Sequence, residues 1–238
     1  KWFIDNHISI ERSVFTIIDK LLDSNNENYL GILESFLRIV EDKNRLVKRF
    51  EYTNKEIVEA SFIPYTVMMG QNSSQTSIQE KIIEKLIENN VDINSCTKLS
   101  TENGNSALIY AIKNKNEELA MFLIEKGINL DLYSESTIGG NDAGKTAIFY
   151  ALEKRMDTIV ESIIKKKEMI LEDKKISNGQ TLLMYFAQYS NAKILKALLP
   201  YYIQKNNNCM KKNDDDGLTP FLYAITYNEN IEVAKLLR

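Results

Sequence analysis

The stretch DGLTPFLYAI (216–225) joins a turn signal to a helix start. Gly217 supplies the backbone freedom that a tight entry needs. Thr219 stands where an N-cap hydroxyl would satisfy a free helical N–H. Pro220 follows at the first helical position, where its missing N–H costs nothing. An apolar run then begins.

The same arrangement recurs three times upstream, in GNSALIYAIKNKN from Gly104, GKTAIFYALEKRM from Gly144 and GQTLLMYFAQYSN from Gly179. Each copy opens Gly-x-Ser/Thr, with a large apolar residue fifth (Leu108, Ile148, Leu183, Phe221) and Tyr seventh (Tyr110, Tyr150, Tyr185, Tyr223). Ser106, Thr146 and Thr181 take the N-cap place of Thr219. Each opening is followed by a second segment with helical apolar spacing, such as Leu119, Phe122 and Leu123, or Ile159, Ile163 and Ile164. The unit is therefore helix, short turn, helix, then a loop to the next Gly.

These residues resemble the ankyrin repeat, whose pattern is Gly-x-Thr-Pro-Leu-His-x-Ala, an apolar second helix and a Gly-Ala-Asp-x-Asn close. LIEKGINLD (123–131) and LIENNVDIN match the close. The resemblance covers residues ~80–238. One departure is consistent: the family's histidine is Ile109, Phe149, Met184 and Leu222 here. The hydrogen bonds it gives the turns must be replaced or missing. Gly104 to Gly144 is 40 residues, Gly144 to Gly179 is 35 and Gly179 to Gly217 is 38, against a family period of ~33. The excess is expected in finger loops between units, the longest being LYSESTIGGNDA (132–143).

GGNDAGKT, ending at Thr146, also reads as a phosphate-binding loop, G-x-x-x-x-G-K-T. The repeat already accounts for Gly144 and Thr146. Lys145 falls at the variable second position, which is expected to be exposed. The preceding DLYSESTI is too polar for the buried strand such a loop needs, and KEMILED is a poor acidic second strand. Nucleotide binding is a remote alternative.

The 238 residues are 44% hydrophobic and 26% charged, with net charge −3. Nothing global steers the chain to nucleic acid, and no apolar run approaches the ~18 residues of a membrane helix. His7 is the one histidine, so a two-His zinc site is excluded and a Ser–His–Asp arrangement would have to recruit a terminal residue. Cys96 and Cys209 form no disulfide framework, which fits the cytosol. The runs KKK (165–167) and KKNDDD (211–216) read as solvated loops. Abundant Asn, Lys and Ile suggest an A/T-rich genome.

Residues 1–76 have no Gly-x-Thr opening but show helical patterns at 9–23, 27–42 and 54–69, and residues 1–60 are expected to form an N-terminal helical extension or cap, or degenerate repeats. Trp2 and Phe3 read as core anchors. Residues 61–238 form the repeat domain: a divergent repeat at 61–94, with Pro64 laid over Pro220, then repeats starting near 104, 144, 179 and 217. The last stops at AKLLR, leaving Leu236 and Leu237 to be covered by a further element, so a fragment of a longer protein is expected.

The expected fold is an all-α ankyrin-repeat solenoid with extended inter-repeat loops. The resemblance implies a protein–protein interaction scaffold binding another protein through its concave surface and loop tips. It implies no enzyme, cofactor, metal, nucleic acid, membrane insertion or small-molecule substrate. By analogy with family and composition, it points to an effector acting on host proteins, cytoplasmic in its own cell or in a host. A targeting or regulatory arm of a larger enzyme is the alternative. In each unit the fourth, fifth, eighth and ninth residues turn inward, as Ala107, Leu108, Ala111 and Ile112 illustrate. The second, tenth and eleventh are expected to face a partner. They are Asn105, Lys113 and Asn114; Lys145, Glu153 and Lys154; Gln180, Gln188 and Tyr189; and Leu218, Thr226 and Tyr227. Tyr189 and Tyr227 are the expected anchors, being large, amphipathic and poor in rotamers, with Tyr133 at the rim.

Overall fold

A computed structural model of the protein describes residues 10–51, 57–70, 75–99, 102–133, 143–166, 175–176, 178–205, 208–228 and 231–238. Trp2, Phe3, His7 and Gly139 lie outside them. The chain forms two compact units, Lys1–Asn129 and Leu130–Arg238.

The first unit holds helices α1 (Ile10–Ser24), α2 (Asn28–Ile39), α3 (Phe62–Met69), α4 (Thr76–Glu88), α5 (Ala107–Lys113) and α6 (Glu117–Glu125). They make three antiparallel pairs, α1 with α2, α3 with α4 and α5 with α6. The first helices α1, α3 and α5 pack in one row and α2, α4 and α6 in another. α3 lies in the middle of its row, and seven of its eight residues are buried. Its Phe62 and Tyr65 rings sit 4.7 and 5.1 Å from Phe15 of α1.

This unit also carries strands β1 (Lys48–Glu51), β2 (Ile57–Ala60), β3 (Cys96–Leu99) and β4 (Glu102–Ser106). They form one antiparallel sheet in the order β1-β2-β3-β4, registered by Lys48↔Ala60, Val58↔Leu99 and Cys96↔Ser106. The expected all-α fold is corrected by this sheet, and the expected helix 54–69 is corrected at its start. Residues 57–60 are a strand paired on both edges, with Val58 and Ala60 buried, and the helix begins only after Ser61. Sheet pairing outweighs the helical apolar spacing there. Pro64 is consequently the third residue of α3, and does not share the first-position place of Pro220. It remains in the first turn, where helical N–H groups lack intrahelical partners.

The second unit holds α7 (Ala147–Glu153), α8 (Asp157–Lys166), α9 (Leu182–Tyr189), α10 (Ala192–Lys205), α11 (Pro220–Tyr227) and α12 (Ile231–Leu236). Here α7 pairs with α8 and α11 with α12, while α7, α9 and α11 pack in sequence and α8, α10 and α12 do the same. At the end of this unit Leu237 is buried and Leu236 half-buried.

The repeats stop their helices in a common way. Asn90, Lys115, Gly127 and Arg155 all have φ between +54° and +84°. In each case the next residue's N–H reaches back five residues, as in Asn116 N to Ala111 O (2.9 Å) and Met156 N to Ala151 O (2.9 Å). That is a Schellman cap, and Lys115 and Arg155 hold it without glycine. Lys115→Gly removes left-handed strain at an exposed position and is expected to raise stability by about 0.5–1 kcal/mol, read as a higher Tm.

Starts differ more than the sequence suggests. Ser106, Thr181 and Thr219 accept the N–H of Ile109, Met184 and Leu222 at 3.4, 3.4 and 3.3 Å. Thr146 makes no such side-chain bond; its backbone carbonyl accepts from Phe149 N instead. Gly104 lies in β4, where a Cβ would stand 2.2 Å from Thr97 Oγ1, so close approach and not a left-handed turn selects it. Gly179 and Gly217 do take left-handed conformations. A Cβ on Gly217 meets open space, whereas one on Gly179 lies 2.3 Å from Asp215 Oδ1 and 2.9 Å from Asp215 N. By thermal melting, Gly217→Ala is expected to cost about 1 kcal/mol and Gly179→Ala about 1 kcal/mol more.

Candidate partner-binding face

Each first helix points its buried positions at its neighbours, and the ends of the helices emerge. In the first unit Lys113 is half-buried and Asn114 exposed at the end of α5. In the second unit Lys154, Thr226 and Tyr227 are exposed, and Glu153, Gln188 and Tyr189 are half-buried. Tyr133, 50% exposed, pairs through its backbone with Thr146 at the base of the long insertion. Residues 134–142 of that insertion lie outside the described residues.

The second positions correct the expectation of exposure. Asn105, Lys145 and Gln180 are buried and Leu218 is half-buried. For Lys145 and Gln180 the cause is a polar link between successive repeats. Lys145 Nζ donates to Glu153 Oε1 at 2.6 Å, with side-chain exposures of 7% and 24%. It also lies 5.4 Å from the Tyr185 ring centre and 5.8 Å from that of Tyr150. Tyr185 OH donates to the same Glu153 oxygen at 3.1 Å. Burial, with Glu153 adding and Lys145 opposing, holds the Tyr185 phenol above the usual tyrosine range. An ammonium so engaged is not poised to cradle a phosphate.

One repeat later the second position does the same with a neutral amide. Asn178 Nδ2 donates to Gln180 Oε1 (2.7 Å), Gln180 Nε2 to Tyr223 OH (2.5 Å), and Tyr223 OH to Asp214 Oδ2 (2.5 Å). Asp214 Oδ1 accepts from Asp216 N and Leu218 N at 3.1 and 2.7 Å. Burial first, then the Asp214 bond, raises the Tyr223 pKa. Asp214 is buried, so KKNDDD is only partly the solvated run expected. Asp214 and Asn178 brace turns that the family's histidine would otherwise hold. Tyr223→Phe is expected to cost about 1–2 kcal/mol in urea unfolding, because Gln180 and Asp214 lose their shared partner.

These links fix the helices that carry the exposed rings. Tyr189 lies one helical turn from Tyr185, ring centres 5.5 Å apart, and Tyr227 one turn from Tyr223 at 5.3 Å. Burial, then Glu153, raises the Tyr189 pKa. Tyr227 is 50% exposed. The same helix α11 exposes Leu222 and Ile225, the latter at 57%. Leu222 aligns with the buried Ile109, Phe149 and Met184, and Ile225 stands at the ninth position, so its exposure corrects the expectation that this position turns inward in every repeat. Among the described residues no cluster of His, Cys, Asp and Glu could hold a metal, and no helix is long and apolar enough to cross a membrane.

A family model described as ankyrin repeats in three copies matches residues 74–173 and 157–238. No curated protein matches the chain. Among solved structures, a chain from the complex of a predatory endopeptidase of Bdellovibrio bacteriovorus with an immunity protein is similar. Its TM-score is 0.57 at 20% identity, over 92% of this chain and 95% of that one. In all, 371 solved chains match, so this similarity speaks for the fold and singles out no activity. With repeated helix pairs, the Gly-x-Ser/Thr openings and a family match over most of its length, the chain belongs to the ankyrin-repeat family.

Proposed function

We propose that this chain is a non-catalytic binding module that holds another protein against the ends of its first helices. One observation carries the reading: the tenth and eleventh positions differ from repeat to repeat and reach solvent, while the positions beneath them are buried and braced. In the second unit Lys154, Gln188, Tyr189, Thr226 and Tyr227 form the contact set, with Leu218 beside it and Tyr133 at the rim. Lys113 and Asn114 are their counterparts in the first unit. Lys145, Gln180 and Glu153 support these residues from below, and Asn105 is buried. The similar Bdellovibrio chain comes from a complex of two proteins, which agrees with a protein partner. By analogy with family and composition, the chain acts in the source cell's cytosol, or in a host's as an effector on host proteins.

The test is affinity capture with quantitative mass spectrometry from lysates of the source and its host. The native chain is compared with the Tyr189→Ala/Tyr227→Ala variant. A protein recovered by the native chain and depleted with the variant is the expected result. Equal recovery by both would overturn the proposal.

A further inference from the structure

Within the second unit the joints between repeats are built alike. α7 packs on α9 and α9 on α11. The sixth and ninth residues of the earlier repeat, Phe149 and Leu152 or Met184 and Ala187, are buried. Phe149 meets the arriving Tyr185 ring edge-on at 4.8 Å. The second residue adds a polar hook for that tyrosine. Lys145 stands 5.4 Å from the Tyr185 ring centre, and Gln180 Nε2 donates to Tyr223 OH.

α11 carries the same positions open to solvent. Leu222 is 38% and Ile225 57% exposed. Phe221 is half-buried, where the equivalent Ile148 and Leu183 are buried. Residues 222 and 225 are neighbours on one helix face, and Tyr223, Ala224 and Tyr227 occupy the other side. The second position differs too. Leu218, half-buried, has no polar side-chain atom, so this face offers no hook to a tyrosine. Whatever covers it must be apolar where it lands. The α11 helix of another copy meets that requirement, because its own Leu222 and Ile225 bring no hydroxyl. Beside it, Glu232 and Lys235 of α12 pair at 2.7 Å and compensate each other within one copy.

We infer that two copies of this chain associate through this face, α11 against α11 across a twofold axis, with Leu222 and Ile225 of each copy at the centre. A twofold contact uses the same patch on both copies and closes after two, whereas repeat-on-repeat stacking would continue. The inference goes beyond the protein-binding reading, and its test needs no other protein. Sedimentation velocity of the 238-residue chain should show a monomer–dimer equilibrium with a dissociation constant of roughly 10–100 μM, as suits a small patch. Leu222→Glu and Ile225→Glu, both at exposed positions, should each raise that constant roughly 10-fold or more, with an unchanged circular dichroism spectrum and Tm. Tyr189→Ala, on α9, should leave it unchanged. In a Cys96→Ser background, with Cys209 buried, Ile225→Cys should be trapped as a covalent dimer by a short bismaleimide, and the background chain should not. A chain that stays monomeric up to about ten times that constant, a dimer indifferent to both glutamates, a dimer lost with Tyr189→Ala, or no trapping of Ile225→Cys would each overturn the inference.

Discussion

Glu153→Ala is expected to lower unfolding stability by about 3 kcal/mol, while Lys145→Met costs about 1 kcal/mol or less. The two ends of the ion pair are unequally placed. Lys145 is 7% exposed and Glu153 24%. Without Glu153, the buried ammonium loses its carboxylate and keeps the weaker attraction of the Tyr150 and Tyr185 rings. Tyr185 OH also loses its acceptor. Without Lys145, the partly exposed carboxylate gains water and keeps the Tyr185 bond, and the methionine chain fills the vacated space. Urea unfolding of both variants checks the order. A larger loss for Lys145→Met, or no loss for Glu153→Ala, would mean that the pair does not brace the repeats.

Tyr227→Ala and Tyr189→Ala should each weaken partner binding by about 2 kcal/mol or more. Both rings present an apolar face and a hydroxyl with little rotamer entropy to lose. Their folding effects differ. Tyr227 is half exposed, so its removal should leave Tm nearly unchanged. Tyr189 rests on Tyr185, so its removal should cost about 1 kcal/mol of stability as well. Titration calorimetry with the captured partner, beside melting curves, separates the two. Unchanged affinity in both variants would place the partner on another face.

Much of this architecture was legible from four glycine openings, because a repeat states its pattern several times. In the repeats from Gly104, Gly144 and Gly179 the inward positions followed, since residues such as Ala107, Leu108, Ala111 and Ile112 need only be apolar, whereas Ile225 at the ninth position of the last repeat is exposed. The sheet was not legible. IVEA (57–60) lies in an apolar run whose spacing suits a helix, and its strand state depends on partners both before and some forty residues after it. The second position was misread for a related reason. Asn105, Lys145, Gln180 and Leu218 vary, and variation alone suggests exposure. For Lys145 and Gln180 the side chain instead answers a tyrosine in the following repeat. The usable signal was the invariant seventh-position Tyr, a phenol that burial obliges to find a polar partner.

The asparagines, read as a codon bias, also have structural work. Asn116 caps α6 through Leu119 N (3.0 Å) and donates to Thr76 of the preceding repeat (2.9 Å). Asn191 accepts from Ile194 N (2.9 Å) and donates to Asp157 (2.6 Å). Asn228 Nδ2 donates to Ala187 O and Ser190 O at the end of α9, at 2.9 and 3.0 Å. A single sequence shows each of these as a polar residue near a turn, and only the stacking of one repeat on the next shows what it meets.

Hydrogen exchange of the chain with and without its captured partner tests the central claim most directly. Protection should concentrate at the ends of the first helices and the turns beyond them, around 153–155, 188–190 and 226–228, with the second helices α8 and α10 unchanged. Protection confined to α8 and α10, with the first-helix ends exchanging as in the isolated chain, would contradict the account.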